Sequence, residues 1–193
     1  MNDEVVHGIP TDRRKLREGD IISIDCGAIL DGWHGDSAIT VPVGEVDPKL
    51  TELMRVTEEA MWRGISAAGG RSSVGHRFPG REVRSLPGPV RDPARVRRAR
   101  HRHRDAHGPW VANQGKPGRG PRFEVGMCFA VEPMVNLGTE RTKVLGDDWT
   151  VVTLDGRASA HFEHSVAVTE DGPLVLTALD GGASRFGSGA DGL

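Results

Sequence analysis

DIISIDCGAILDGWHGDSAITVPV, residues 20–43, is the stretch that decides the fold. β-branched residues crowd both halves, and Asp31-Gly32 between them is a pair suited to a two-residue hairpin turn. Strands are therefore expected over Asp20–Ile29 and Trp33–Val43. A turn centred on that pair matches position i with 63 − i, so Gly27 faces Asp36 and Asp25 faces Ala38. Alternation along a strand then puts Asp25, Gly27, Asp36 and Ala38 on one face. Asp25 and Asp36 become diagonal neighbours, roughly 7–8 Å apart at the backbone and closer at the carboxylates. Two anions held that close repel unless a cation lies between them, and Gly27 and Ala38 leave room for one.

Working outward, EVDPKLTELMRVTEEAMWRGISAAG follows at residues 45–69. Asp47 can cap a helix, Pro48 suits its first position, and Leu50, Leu53, Met54, Met61 and Ile65 recur at three- and four-residue spacing. An amphipathic helix is expected over Pro48–Ala68, ended by Gly69. Residues 71–109 read differently: arginine, proline and glycine interrupt any period, and the composition is that of loop or disorder. Beyond them Met127–Gly138, Asp147–Gly156 and Ser159–Gly172 are strand-like runs separated by turn residues. The Gly/Ser-rich end (177–193) reads as a flexible tail behind a single domain spanning 1–176.

The bulk numbers narrow the function classes. A formal charge of −2 and a pI near 6.4 speak against a protein built mainly to grip nucleic acid or an anionic membrane. Cys26 and Cys128 have no CxxC spacing and suggest two small buried apolar residues in a reducing compartment. No basic start followed by an apolar run opens the chain, and no long apolar run suits a membrane span, so a cytoplasmic protein is expected. Aromatic residues make up only 5% and tyrosine is absent, thin for a complete enzyme core.

Two further acids sit in β-rich text: Glu132 in FAVEPMV and Glu163 in HFEHSV. For each acid alone, solvation at a strand edge is the simplest reading. Four together, with no basic residue close in sequence to any, point to cation binding, because buried carboxylates need a partner. Carboxylate oxygens plus histidine suit divalent ions such as Co, Mn, Fe or Zn, and paired ions are a hydrolytic device. Metal-assisted hydrolysis is the chemistry these residues suggest.

Taken together, VVHGIP (5–10), IDCGAILDGWHGDSAITVPVG (24–44), FAVEPMVN (129–136) and DDWTVVTLDGRASAHFEHSVAVTEDG (147–172) resemble type I methionine aminopeptidases. The resemblance spans residues 3–69 and 110–176. It implies the α/β (α+β) pita-bread fold, two pseudo-symmetric halves over a curved antiparallel sheet, here incomplete. It implies removal of N-terminal methionine from nascent peptides, with two divalent ions held by Asp25, Asp36, Glu132 and Glu163. Asp36 and Glu163 would bridge the ions, and Glu132 would also take the proton of the attacking water. His7 matches a catalytic histidine that contacts substrate near the scissile amide, and Trp149 an aromatic wall of the methionine pocket. Read alone, His7 would be a solvated imidazole and Trp149 core or rim. His34 and His164, which flank the acids, suit outer-shell donors or solvent-facing roles equally. The ribosome is a further candidate partner; membrane and specific nucleic acid are not expected, and a monomer is.

Two departures from the family pattern stand out. The family's chains begin well ahead of HGIP, so this one reads as N-terminally truncated. Where the family carries Gly-His-Gly-Ile-Gly with its sole histidine ligand, this chain has RARHRHRDAHGP (98–109), text that a shifted reading frame in GC-rich DNA would produce. His101 and His103 stand nearest the missing ligand and His107 nearest a second histidine. Four readings stay open: a working aminopeptidase, a non-catalytic remnant of that fold, a prolidase-like Xaa-Pro peptidase, and a nucleic-acid-binding arm in the Arg/His-rich zone. The last lacks interleaved aromatics for base stacking.

Overall fold

A computed structural model describes residues 1–67 and 123–186. The expectations for Ala68 and Gly69, the arginine-rich zone with His101, His103 and His107, and the last seven residues lie outside the described residues. The hairpin forms as its sequence demands: β2 (Ile21–Leu30) pairs antiparallel with β3 (Trp33–Pro42), with Asp25 opposite Ala38 and Gly27 opposite Asp36. Asp31 and Gly32 have φ of 51° and 85°. Positive φ at both central residues gives a turn whose twist matches that of the strands. Gly32 adopts this conformation without strain, and aspartate is among the side chains that tolerate it.

Helix α1 (Pro48–Ala67) follows. The Asp47 carboxylate accepts the Lys49 backbone N–H at 2.8 Å, and its carbonyl accepts from Leu50. Of the apolar stripe, Leu53, Met54, Met61 and Ile65 are buried and Leu50 is partly so, with Leu53 and Ile65 fully enclosed. It packs on Ile21, Val131, Val135, Ala160, Phe162, Val166 and Val175 in one core. Each fully buried Val, Leu, Ile or Phe side chain contributes about 1.5–3 kcal/mol by leaving water.

The second half supplies β4 (Cys128–Val131), β5 (Met134–Asn136), β6 (Thr142–Val144), β7 (Val151–Thr153), β8 (Ser159–His161), β9 (Glu163–Thr169), β10 (Gly172–Val175) and the short helix α2 (Ala183–Phe186). Every strand pairing among the described residues is antiparallel. One sheet runs β10-β9-β3-β2 with β4 also on β9; β5 pairs with β8, and β1 (Glu4–Val6) joins β7 and β6. Two runs that read as continuous strands are thus each broken once, at Glu132-Pro133 between β4 and β5 and at Phe162 between β8 and β9. Pro133 has no N–H to donate, so the ladder cannot continue through it. Both breaks lie beside an acid of interest.

Two expectations are corrected here. Cys26 and Cys128 are free and exposed rather than buried. Cys26 lies in β2, the edge strand of its sheet, where every residue from Ile24 onward is exposed. Residues 177–186 also do not behave as a tail. The Thr177 hydroxyl accepts the Ser165 N–H at 3.1 Å, and the Arg185 guanidinium lies 5.3 Å from the Trp62 ring centre and pairs with Glu58. No helix of the described residues is long and apolar enough to cross a membrane.

Candidate metal centre

Strand pairing gathers the four acids. Asp25 on β2 stands opposite Ala38 on β3, and Ala38 opposite Glu163 on β9, so the two acids flank one alanine on a single rung. The β3–β9 backbone pairing is short, and hydroxyls extend it. Ser165 Oγ accepts the Asp36 N–H and donates to the Asp36 carbonyl, both at 2.9 Å. Thr40 Oγ1 accepts the His161 N–H at 2.9 Å and donates to the His161 carbonyl at 2.7 Å. The backbones carrying Asp36 and His161 are thereby held in place against each other. Glu132 enters from the β4–β5 break, where its strand is released from regular pairing.

Two overlapping donor groups result. Asp25, Asp36 and Glu163 each place a carboxylate oxygen within 4.8 Å of the others, and Glu132, His161 and Glu163 form a second such set. Glu163 belongs to both. No lysine or arginine among the described residues forms an ion pair with any of these acids. The sequence reading treated all four as acids in apolar surroundings. The structure buries only Glu163, at 3% exposure; Asp36 is half-buried, and Asp25 and Glu132 are exposed. Asp25 is exposed because it lies on the edge strand, and Glu132 because it sits at the break beside Pro133.

The cost of this gathering shows in proton affinity. Burial, then the negative charges of Glu132, Asp36 and Asp25, push the Glu163 carboxyl up to about 9. Desolvation, then Asp25 and Asp36, push Glu132 up to about 7, although half of its side chain reaches solvent. Asp36 is also raised, by desolvation and by Asp25. Without cations these groups retain protons that ordinary carboxylates have lost.

The residues fit divalent ions on three observations. Asp36 Oδ1 and His161 Nε2 are buried with no hydrogen-bond partner. A Cβ on Gly27 would lie 3.2 Å from Asp36 Oδ1, so the glycine leaves open the space beside that carboxylate. The donors themselves, carboxylates with one imidazole, are those hard and borderline divalent ions take. A surface groove of about 400 Å³ bordered by Asp3, Glu4, Arg14 and Lys143 contains none of these donors, and the chemistry is placed by the donors rather than by concavity.

The other residues singled out from sequence divide. His7 and Trp149 come together, their ring centres 5.0 Å apart, and Thr150 donates to the His7 carbonyl at 3.3 Å. His164 turns away: its Nδ1 is hydrogen-bonded to Thr177 Oγ1 at 2.8 Å, and its ring lies 5.1 Å from that of Trp62. His34 is exposed and belongs to neither donor group. His161, which the sequence reading passed over, is 2% exposed and enters the second group. A signal for it existed: two residues before Glu163 in an extended run, it is placed on the same side by alternation.

Comparison with known proteins identifies the family. The model of metallopeptidase family M24 matches residues 1–170. Methionine aminopeptidase from Clostridium acetobutylicum is 44% identical over 180 residues, taking in 92% of this chain and 71% of that protein. Methionine aminopeptidase 1 from Mycobacterium tuberculosis is 46% identical over 186 residues, covering 92% and 69%. The crystal structure of methionine aminopeptidase from Thermotoga maritima superposes with a TM-score of 0.77 at 36% identity, over 91% of this chain and 71% of that one. The antiparallel sheet with its helix is thus the pita-bread fold, over about seven-tenths of the relatives' length. A family model matching residues 1–170, with relatives 44% and 46% identical over nine-tenths of the chain, places the chain in metallopeptidase family M24, among the methionine aminopeptidases.

Proposed function

We propose that this chain removes N-terminal methionine from peptides by metal-assisted hydrolysis, with Asp25, Asp36, Glu132 and Glu163 holding two divalent ions, Co, Mn, Fe or Zn. One observation carries the reading: the two donor groups share Glu163, and no cationic side chain among the described residues pairs with their charge. When bound, such a pair of ions polarises a carbonyl and lowers the pKa of water.

The chain's own residues do the rest. Glu132 is open to solvent on one side. It takes the proton of the attacking water and returns it to the departing amine. His7, on the loop after β1, offers an imidazole to hydrogen-bond the substrate beside the scissile amide. Trp149, next to it, presents a ring face against which a methionine thioether packs well. The same reading makes residues 1–176 one catalytic domain acting as a cytoplasmic monomer on nascent chains, with the ribosome as a neighbour. Hydrolysis of a Met-Ala-Ser peptide with added Co(II) or Mn(II), abolished by Glu132→Gln, tests it; a folded, metal-loaded chain without turnover sinks it.

The exposure of Asp25 and Glu132 favours a second reading, a non-catalytic remnant. A site open on that side admits water but positions a substrate poorly. Metal uptake without peptide hydrolysis is its signature.

A further inference from the structure

We propose that His161 is itself a metal ligand, its Nε2 completing with Glu132 and Glu163 the nitrogen-bearing half of the centre. The inference rests on the metal-centre reading above and goes beyond it, because the acids alone would make an all-oxygen site.

The argument begins with an unsatisfied atom. His161 is 2% exposed, and its Nε2 has no hydrogen-bond partner. Leaving a buried polar nitrogen unpaired costs about 1–3 kcal/mol, so such an atom in a folded chain calls for a partner. The nearest acceptors do not serve: Glu132 Oε2 is 3.9 Å away and Glu163 Oε2 3.8 Å. Both distances exceed the roughly 2.7–3.2 Å of a hydrogen bond. They do suit donors sharing an ion. Metal–nitrogen and metal–oxygen bonds of about 2.0–2.2 Å allow two ligands of one ion to stand up to about 4.3 Å apart. His161 thus stands too far from both acids to bond them directly and close enough to share a cation with each.

The imidazole is also held as a ligand must be. Its backbone N–H and carbonyl both bond Thr40 Oγ1, and it faces Met134 across the β5–β8 pair. Thr40 in turn meets Ser23 Oγ at 2.8 Å. A ring on a strand anchored at both backbone groups loses little further freedom on binding. Glu163 belongs to both donor groups, so an ion between Glu132, His161 and Glu163 would share that carboxylate with an ion between Asp25, Asp36 and Glu163.

The test loads the full chain with Mn(II) and follows it by titration calorimetry and pulsed electron paramagnetic resonance. Histidine nitrogen coupling to the ion is expected in the unsubstituted chain and is expected to vanish in His161→Gln. It should persist when His101, His103 and His107 are all changed to glutamine. Affinity in His161→Gln should fall about 100-fold or more, at or beyond the upper end of what loss of an outer-shell partner costs. If Mn(II) binds and nitrogen coupling survives His161→Gln, His161 is not a ligand while the metal centre stands. Failure of the folded unsubstituted chain to take up Mn(II) removes both. Should His161→Gln not fold, the unsubstituted chain labelled with [15N]histidine decides by nuclear magnetic resonance. Zn(II) must shift Nε2 of a ring whose protons show contacts to Thr40 or Met134, and a shift confined to other histidines overturns the proposal.

Discussion

Loading the centre with metal must expel protons, and the structure says how many. In the metal-free chain near pH 7, Glu163, with its carboxyl pushed up to about 9, holds nearly one proton, and Glu132, pushed up to about 7, holds about one half. Asp36, also raised, can only add to this. His161, lowered to about 4 chiefly by burial, is neutral and has no proton to lose. Ions that take up these carboxylates therefore release about 1.5 protons per chain, and the overall binding constant rises about thirtyfold per pH unit near neutrality. Near pH 9 the release falls to about one half, because Glu132 is by then ionised and Glu163 half so. Titration calorimetry in buffers of low and high ionisation enthalpy reads the count directly. Release below about half a proton near pH 7, with metal bound, would refute the claim that clustering these acids keeps them protonated.

Stability of the metal-free chain should follow the same groups. Glu163 keeps its proton in the folded chain to about 9 but in the unfolded chain loses it near 4.5, so stability is greatest below the lower value and declines as pH rises through the upper one. Glu163→Gln should flatten that decline, a gain of about 6 kcal/mol at most at alkaline pH; thermal melting against pH checks it, and an unchanged slope counts against the buried-acid picture. Gly27→Ala places a methyl 3.2 Å from Asp36 Oδ1 and should weaken metal binding about tenfold with little change in metal-free melting; unaltered affinity by calorimetry would mean that the space beside Asp36 is not used. Leu53→Ala, at a fully buried position facing the sheets, should cost about 2–5 kcal/mol in denaturant unfolding, and a loss under about 1 kcal/mol would place the helix outside the core.

Much of the site was legible because its first half is local. The Asp31-Gly32 turn and the period-two alternation leave one register for the hairpin, and that register alone brings Asp25 and Asp36 together. Helix α1 was equally readable from Asp47, Pro48 and its apolar stripe, since cap and periodicity both lie within a few residues. The order of HGIP, the aspartate hairpin, EPMVN and FEH likewise suffices for the family.

What the sequence by itself determined was therefore chemistry carried by neighbours along the chain: one hairpin, one helix, four acids of a recognisable order. Tertiary structure alone decided that β9 lies beside β3, bringing Glu163 to Asp25 and Asp36 across more than a hundred residues of chain. It decided also that the strands break at Pro133 and Phe162, that both cysteines face solvent, and that His161 rather than His164 turns toward the acids. These outcomes depend on which strand pairs with which and on which strand forms the edge. Strand partners are chosen by burial summed over whole faces, a quantity no local window contains.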